Sequence, residues 1–523
     1  MNLFSNPEIL RNARIQLRPR KMLIAAGMCA VVEVALGYAF FHSRSDIDIG
    51  GADYSGGRAL LHVILWIQAL VLVIGGGIAC IHAIQREKDQ NTFDFQRITR
   101  LSPLELTLGK LFGTPLMVFF VFLCLIPAAI VGAVSGGASW TILLAAYVLL
   151  MLGAIVCDAF ALVISLFLRR GAVTWAILFF LALVGAGSGG SSFSPYLALG
   201  SGSPFVAVSL AQQTSWSLAP GVTHVGSMSL PTTNPFRDLF FGVPVHHALV
   251  LFVLDVTIFA WLLSAVARNI KRDPTNYELY TPAQALGFLC YFNFILFAFF
   301  QWYVPGAPRG LLGMPHPFTA LDTQSVFLEA NVIPFFIFGF ILLRNRNQAR
   351  RLLHSGTAGR LETWPAPYLF LGGLIVGIAM ILVIQWKRDP SLEWSVAIAI
   401  FRVAYFAFWL ICDFLFLQWT KLQRAGHPLL MGVLYLGVYY ACAIIIVSSL
   451  HAQHSPFAAI FLPTPLFGLD TAAWSAHLGV WIAALALQIA AGVVFIALQR
   501  RTLAQLQPHA SSISMNAPAS ASL

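Results

Sequence analysis

Runs of 18 or more apolar residues recur along this chain from residue 21 to residue 499. Each is long enough to cross the roughly 30 Å hydrocarbon layer of a bilayer, and too long for a membrane strand, so each predicts a helix. Only 10% of the residues are charged, against about 25% in water-soluble domains. A surface this poor in charge is built to face lipid. The expected fold is an all-α integral membrane protein with about twelve transmembrane helices. They are read at about 21–41, 60–84, 108–134, 139–168, 172–190, 244–267, 281–303, 328–343, 366–386, 393–418, 427–450 and 473–499.

The net charge of +10 is a matter of topology. With the N-terminus inside, 24 of the 31 Lys and Arg fall in cytoplasmic segments, six lie outside and Arg402 lies within a span. That asymmetry is the positive-inside rule, and it argues against a nucleic-acid partner. Both termini are therefore expected in the cytoplasm and the chain in a bacterial inner membrane. The seven cysteines all fall in expected spans, with no metal-binding or disulfide spacing. No A-x-A cleavage pattern follows the first span, which is expected to stay as an anchor. The Ser/Ala-rich tail, 508–523, is expected to be disordered.

Three short polar matches recur in order. Arg11-Asn12 precedes the first span and Arg268-Asn269 the seventh. Cys157-Asp158 in the fourth span pairs with Cys412-Asp413 in the tenth, at an offset of 255. Ser203-Pro204-Phe205 pairs with Ser455-Pro456-Phe457, each before the last span of its half. Two parallel six-helix repeats are thus expected, residues 1–272 and 273–507.

The loops between spans carry the remaining signals. Residues 6–20 read as an interfacial helix capped by Asn6 with Pro7 at its first position. Ile9, Leu10, Ala13 and Leu17 make its apolar face, and Arg11, Arg14 and Arg18 its basic one. The most charged stretch, Arg86 to Arg100, should contain a short helix started by Asn91 or Thr92, with Phe93, Ile98 and Leu101 along one side. Ser102-Pro103-Leu104-Glu105 is a capping box that starts another helix. The equivalent loop of the second half, 344–365, is basic and broken by glycines, with no Ser-x-x-Glu box, so its helix should be marginal.

The run from Arg86 to Gly113 resembles the cytoplasmic loop of ABC transporter type-2 permeases. Thr-Phe-Asp stands at 92–94, Leu-Ser-Pro at 101–103 and Gly-Lys at 109–110. The family pattern is roughly Glu, then Gly-Thr-Leu-Glu, Thr-Pro-Leu-Ser-Pro and Gly-Lys-Leu. Asn91 replaces the usual Gly here, and Thr99-Arg100-Leu101 stands where Thr-Pro-Leu is common. The resemblance covers 1–272, and reaches 273–508 only through the repeat. It implies six spans per half, an N-terminal interfacial helix, and a coupling helix seated on a separate ABC ATPase subunit in two copies. Glu87, Thr92, Phe93, Asp94, Ile98, Ser102 and Glu105 would then form the ATPase-coupling loop. No phosphate-loop motif occurs, so ATP and Mg²⁺ would bind the partner, and this chain would carry no cofactor and no enzyme activity of its own.

Four carboxylates fall within spans: Glu33, Asp158, Asp255 and Asp413. They are read either as lining a substrate path or as packing between helices. Two other functions stay open. One is a secondary, ion-coupled transporter using Asp158 and Asp413. The other is a membrane-embedded lipid- or glycan-modifying enzyme, although the outer loops are poor in carboxylates.

Overall fold

The structure, a computed structural model, describes residues 6–42, 47–48, 53–54, 56–98, 100–138, 140–167, 223–225, 228–230, 237–240, 243–272, 277–300, 328, 331, 334–354, 365–386, 395–423, 428–449 and 478–506. Two compact units emerge, one spanning Met1–Leu279 and the other comprising the described residues from Tyr280 onward.

In the first unit α1 (Pro7–Gln16) leads into α2 (Pro19–His42). A continuous helical rod then runs through α3 (Gly56–Leu70), one π-helical segment (Val71–Gly75) and α4 (Gly76–Asp89). The short α5 (Phe93–Arg97) precedes α6 (Pro103–Gly113), α7 (Leu116–Cys124) and α8 (Ile126–Gly136). Pro115 and Pro127 divide these last three, because proline lacks the N–H that the helical ladder needs. Gly137, at φ 69°, ends α8 in the left-handed region. Next come α9 (Trp140–Phe167) and α10 (His247–Asn269). Helix α3 packs on α8, α4 on α9, α9 on α10, and α1 on α6.

The second unit holds α11 (Pro282–Phe300), α12 (Arg346–His354), α13 (Pro365–Trp386), α14 (Ser395–Lys421), α15 (Pro428–Ser449) and α16 (Leu478–Leu506). Helix α14 is its centre, touching α13, α15 and α16. Tyr405 and Trp409 of α14 pack with Trp481 of α16 in a buried aromatic cluster.

Among the described residues, eight helices are long and apolar enough to cross a membrane, and Pro282–Ala298 and Leu430–Ala443 are shorter apolar helices. Of the other two expected spans, 172–190 lies outside the described residues and 328–343 is described in part, helical at 334–342. The helical expectation holds for the described spans, but the described residues are not helical throughout. Three two-stranded hairpins pair Ile47–Asp48 with Asp53–Tyr54, Thr223–Val225 with Met228–Leu230, and Arg237–Phe240 with Val243–His246. The tail at 508–523 lies outside the described residues.

Candidate functional site

The densest meeting of charged side chains lies where α1, the end of α4 and the start of α6 come together. Local sequence sets each element. Asn6 caps α1, its Oδ1 accepting from the Glu8 amide at 3.0 Å, with Pro7 at the first helical position. Ser102 and Glu105 form the reciprocal box that starts α6: Oγ of Ser102 accepts from the Glu105 amide at 3.2 Å, and Glu105 Oε2 from the Ser102 amide at 2.9 Å.

Helix α1 has three faces where two were expected. The apolar and basic stripes are there in part: the helix ends at Gln16, short of the expected residue 20, so Leu17 and Arg18 lie beyond it. The third, Glu8, Asn12 and Gln16, recurs every fourth residue and turns toward α6 and α7. Gln16 Nε2 donates to the Thr114 carbonyl at 2.8 Å, and its Oε1 accepts from the Met117 amide at 3.2 Å. These groups sit where α6 ends, so they occupy backbone groups that the helix leaves unpaired. Asn6 Nδ2 adds a bond to the Glu105 carbonyl at 2.7 Å. Close approach depends on Gly109 and Gly113, one turn apart. A Cβ on Gly109 would lie 2.7 Å from Glu8 Cβ, and one on Gly113 3.3 Å from Ile9 Cα.

Lys110 stands between those glycines with its side chain fully buried. Its ammonium donates to both Glu87 oxygens at 2.6 Å and lies 3.8 Å from Glu8. Arg11 closes the ring, 2.7 Å from Glu8 and 3.7 Å from Glu87. A buried ammonium is tolerated only with partners of this kind. Lys88, next to Glu87, donates to the Ser165 and Leu166 carbonyls at the end of α9, at 2.7 and 2.8 Å. Four helices are thereby tied at one end of the unit.

From this base α5 projects. Asn91 adopts φ 54°, in the left-handed region that glycine or asparagine enters most readily, which accounts for Asn at a position where the resembling family has Gly. The Thr92 amide donates to the Glu87 carbonyl at 2.9 Å. Phe93 is 4% exposed and lies under the Lys88 ammonium, 6.0 Å from ring centroid to nitrogen. Ile98 is 80% exposed and Phe95 70%. The expectation that Phe93 and Ile98 share a side is therefore wrong. Five residues apart on a helix they point some 140° away from each other. Phe93 anchors the loop, while Phe95, Asp94 and Ile98 meet the surroundings.

The second loop also departs from expectation. Residues 346–354 form α12, and Gln348 Oε1 accepts from the Asn345 amide at 2.9 Å. Asn-x-x-Gln supplies half of a capping box here, a start signal of the same kind as Ser-x-x-Glu.

The intramembrane carboxylates have four different settings. Glu33 Oε1 accepts from the Ala128 amide at 3.2 Å, capping the proline-started α8. Asp158 is buried against α4, where Gly76 follows the π segment. A Cβ on Gly76 would meet its Oδ1 at 2.6 Å. Asp255 is buried on α10, and among the described residues no donor reaches Oδ1 of either Asp158 or Asp255. In the second unit Tyr440 donates to Asp413 at 2.5 Å and accepts from the indole N–H of Trp409.

The expected coupling residues missed Lys110, Glu8 and Arg11, which hold Glu87 in place. A lysine inside a Gly-x-x-x-Gly segment opening an apolar span was the available signal. The fold and these buried charges define a multi-pass helical membrane protein. None of the protein-family models, curated proteins or solved structures compared with this chain matches it.

Proposed function

We propose that the chain is the membrane-spanning permease subunit of an ATP-driven ABC exporter of the type-2 class, with both halves fused and an unidentified substrate. The observation that carries this reading is the construction of residues 86–113. A five-residue helix presents Phe95 outward, with Ile98 exposed just after it, while Phe93 and the Glu87–Lys110–Glu8–Arg11 ring fix its root to α1, α4 and α6. Such a loop can pass a push from a partner into membrane helices without bending itself. A separate cytosolic ATPase, in two copies, is the partner the resemblance implies, with this loop in the cytoplasm of a bacterial inner-membrane protein. On this reading ATP closes the ATPases, and the helices part to release substrate outward.

A second set of contacts supports two six-helix halves. At the offset of 255 that relates Asp158 to Asp413, Lys88 corresponds to Leu343 and Leu166 to Lys421. The Lys88 ammonium donates to the Leu166 carbonyl at 2.8 Å, and the Lys421 ammonium to the Leu343 carbonyl at 3.0 Å. Corresponding positions make the same tie, with donor and acceptor exchanged.

The test is copurification of the full chain with a cytosolic ATPase, and loss of transport when that ATPase cannot hydrolyse ATP. The secondary-transporter reading, which uses Asp158 and Asp413, draws on Asp158 Oδ1, which no donor reaches among the described residues. Transport driven by an ion gradient with no ATPase present would replace the first reading by that one.

A further inference from the structure

The corner between α1 and α2 carries Arg14, Arg18, Arg20 and Lys21 within eight residues, and all four are exposed. The first 32 residues hold one acidic side chain, Glu8. It is buried and engaged by Arg11 and Lys110. The next, Glu33, caps α8. Among the described residues no carboxylate reaches Arg14, Arg18, Arg20 or Lys21, so four positive charges at one corner have no acidic partner among those residues.

The surface continuing from this corner is apolar and bare. Leu10 is 44% exposed, Leu23 76%, Ile24 61% and Met28 64%. Helix α2 is 24 residues long, about 36 Å, which matches the hydrocarbon thickness with a turn to spare. Arg20 and Lys21 lie in its first turn, at headgroup depth, with Arg14 near the end of α1 and Arg18 in the two-residue link between the helices. Guanidinium forks match phosphate oxygens in pairs, and a soluble anion would make no use of the adjoining apolar surface.

We propose that the α1–α2 corner is a binding site for an anionic phospholipid, its headgroup held by Arg14, Arg18, Arg20 and Lys21 and its chains laid along Leu23, Ile24 and Met28. The site rests on the chain spanning a membrane and is independent of the transport class. Because α1 is tied to α6 through Asn6, Gln16 and the two glycines, an occupied corner steadies the same helices that hold the Glu87–Lys110 ring.

The experiment uses the full chain in neutral detergent, with retained lipid counted by native mass spectrometry during titration with phosphatidylglycerol or phosphatidylcholine. Phosphatidylglycerol is expected to bind and phosphatidylcholine not to bind at matched concentration. Arg14→Gln/Arg18→Gln, which leaves Arg20 and Lys21 as the orientation signal, should weaken binding about 30-fold, from about fivefold per cation. Arg14→Lys/Arg18→Lys should stay within about threefold of the parent. If the double Gln variant does not fold, Arg18→Gln alone should weaken binding about fivefold. Equal retention of the two lipids, undiminished binding by the Gln variants, or displacement by inorganic phosphate would each overturn the proposal.

Discussion

Replacing Lys110 by alanine removes the ammonium that both oxygens of Glu87 share at 2.6 Å. Glu87 keeps 12% side-chain exposure and Glu8 8%, so two carboxylates stay largely out of water. Removing one partner of a buried ion pair costs about 3–5 kcal/mol. Arg11 remains 3.7 Å from Glu87, itself half exposed, and offsets part of that loss. The expected cost is therefore near the lower end, about 3 kcal/mol. The charge and the stem can be separated. Lys110→Met keeps the apolar stem but removes the buried ammonium from both carboxylates, and should lose nearly as much as alanine. Adding Glu87→Gln removes one unpaired charge, and the double variant should recover to within about 1.5 kcal/mol of the parent. Denaturant titration in mixed micelles, read by the reactivity of the buried Cys80 and Cys157 thiols, measures each variant. A loss under about 1 kcal/mol for Lys110→Ala, or no recovery on adding Glu87→Gln, would refute the view that the ion ring holds these helices.

Two further outcomes concern the same end of the unit, and a third concerns orientation in the membrane. Gly109→Ala sets a Cβ 2.7 Å from Glu8 Cβ and should push α1 away at about 1–3 kcal/mol, read by the same titration; an unchanged midpoint would show that the contact yields freely. Phe93→Ala should lower stability by about 3 kcal/mol, whereas Phe95→Ala should leave stability within about 0.5 kcal/mol and, on the proposed function, weaken retention of an ATPase partner; equal effects on stability would erase the distinction between anchor and tip. For orientation, a membrane-impermeant thiol reagent added outside intact cells should label Ser217→Cys and not Gln96→Cys, and the reverse pattern would turn the chain over and remove the loop from the ATPase's compartment.

The sequence by itself determined what is encoded within a few residues. Apolar runs long enough for a bilayer became helices, since no other backbone arrangement satisfies its polar groups in lipid except a closed barrel. Asn6 and Ser102 cap their helices because a cap needs only a side chain and an amide two or three residues on. The helix at 346–354 is as local, its start marked by Asn-x-x-Gln in place of Ser-x-x-Glu. Tertiary structure decided the rest. Whether Glu8, Asn12 and Gln16 face water or protein depends on α6, about a hundred residues away, where two glycines leave room for a helix with a polar seam. Glu33 became a cap for the turn at Pro127, and Asp158 met Gly76 at the end of the π segment. Which face of α5 anchors and which is displayed followed from Lys88 reaching the end of α9 and bringing its ammonium over Phe93. A charge in an apolar run is costly until its partner is placed, and that placement comes from the packing of distant helices.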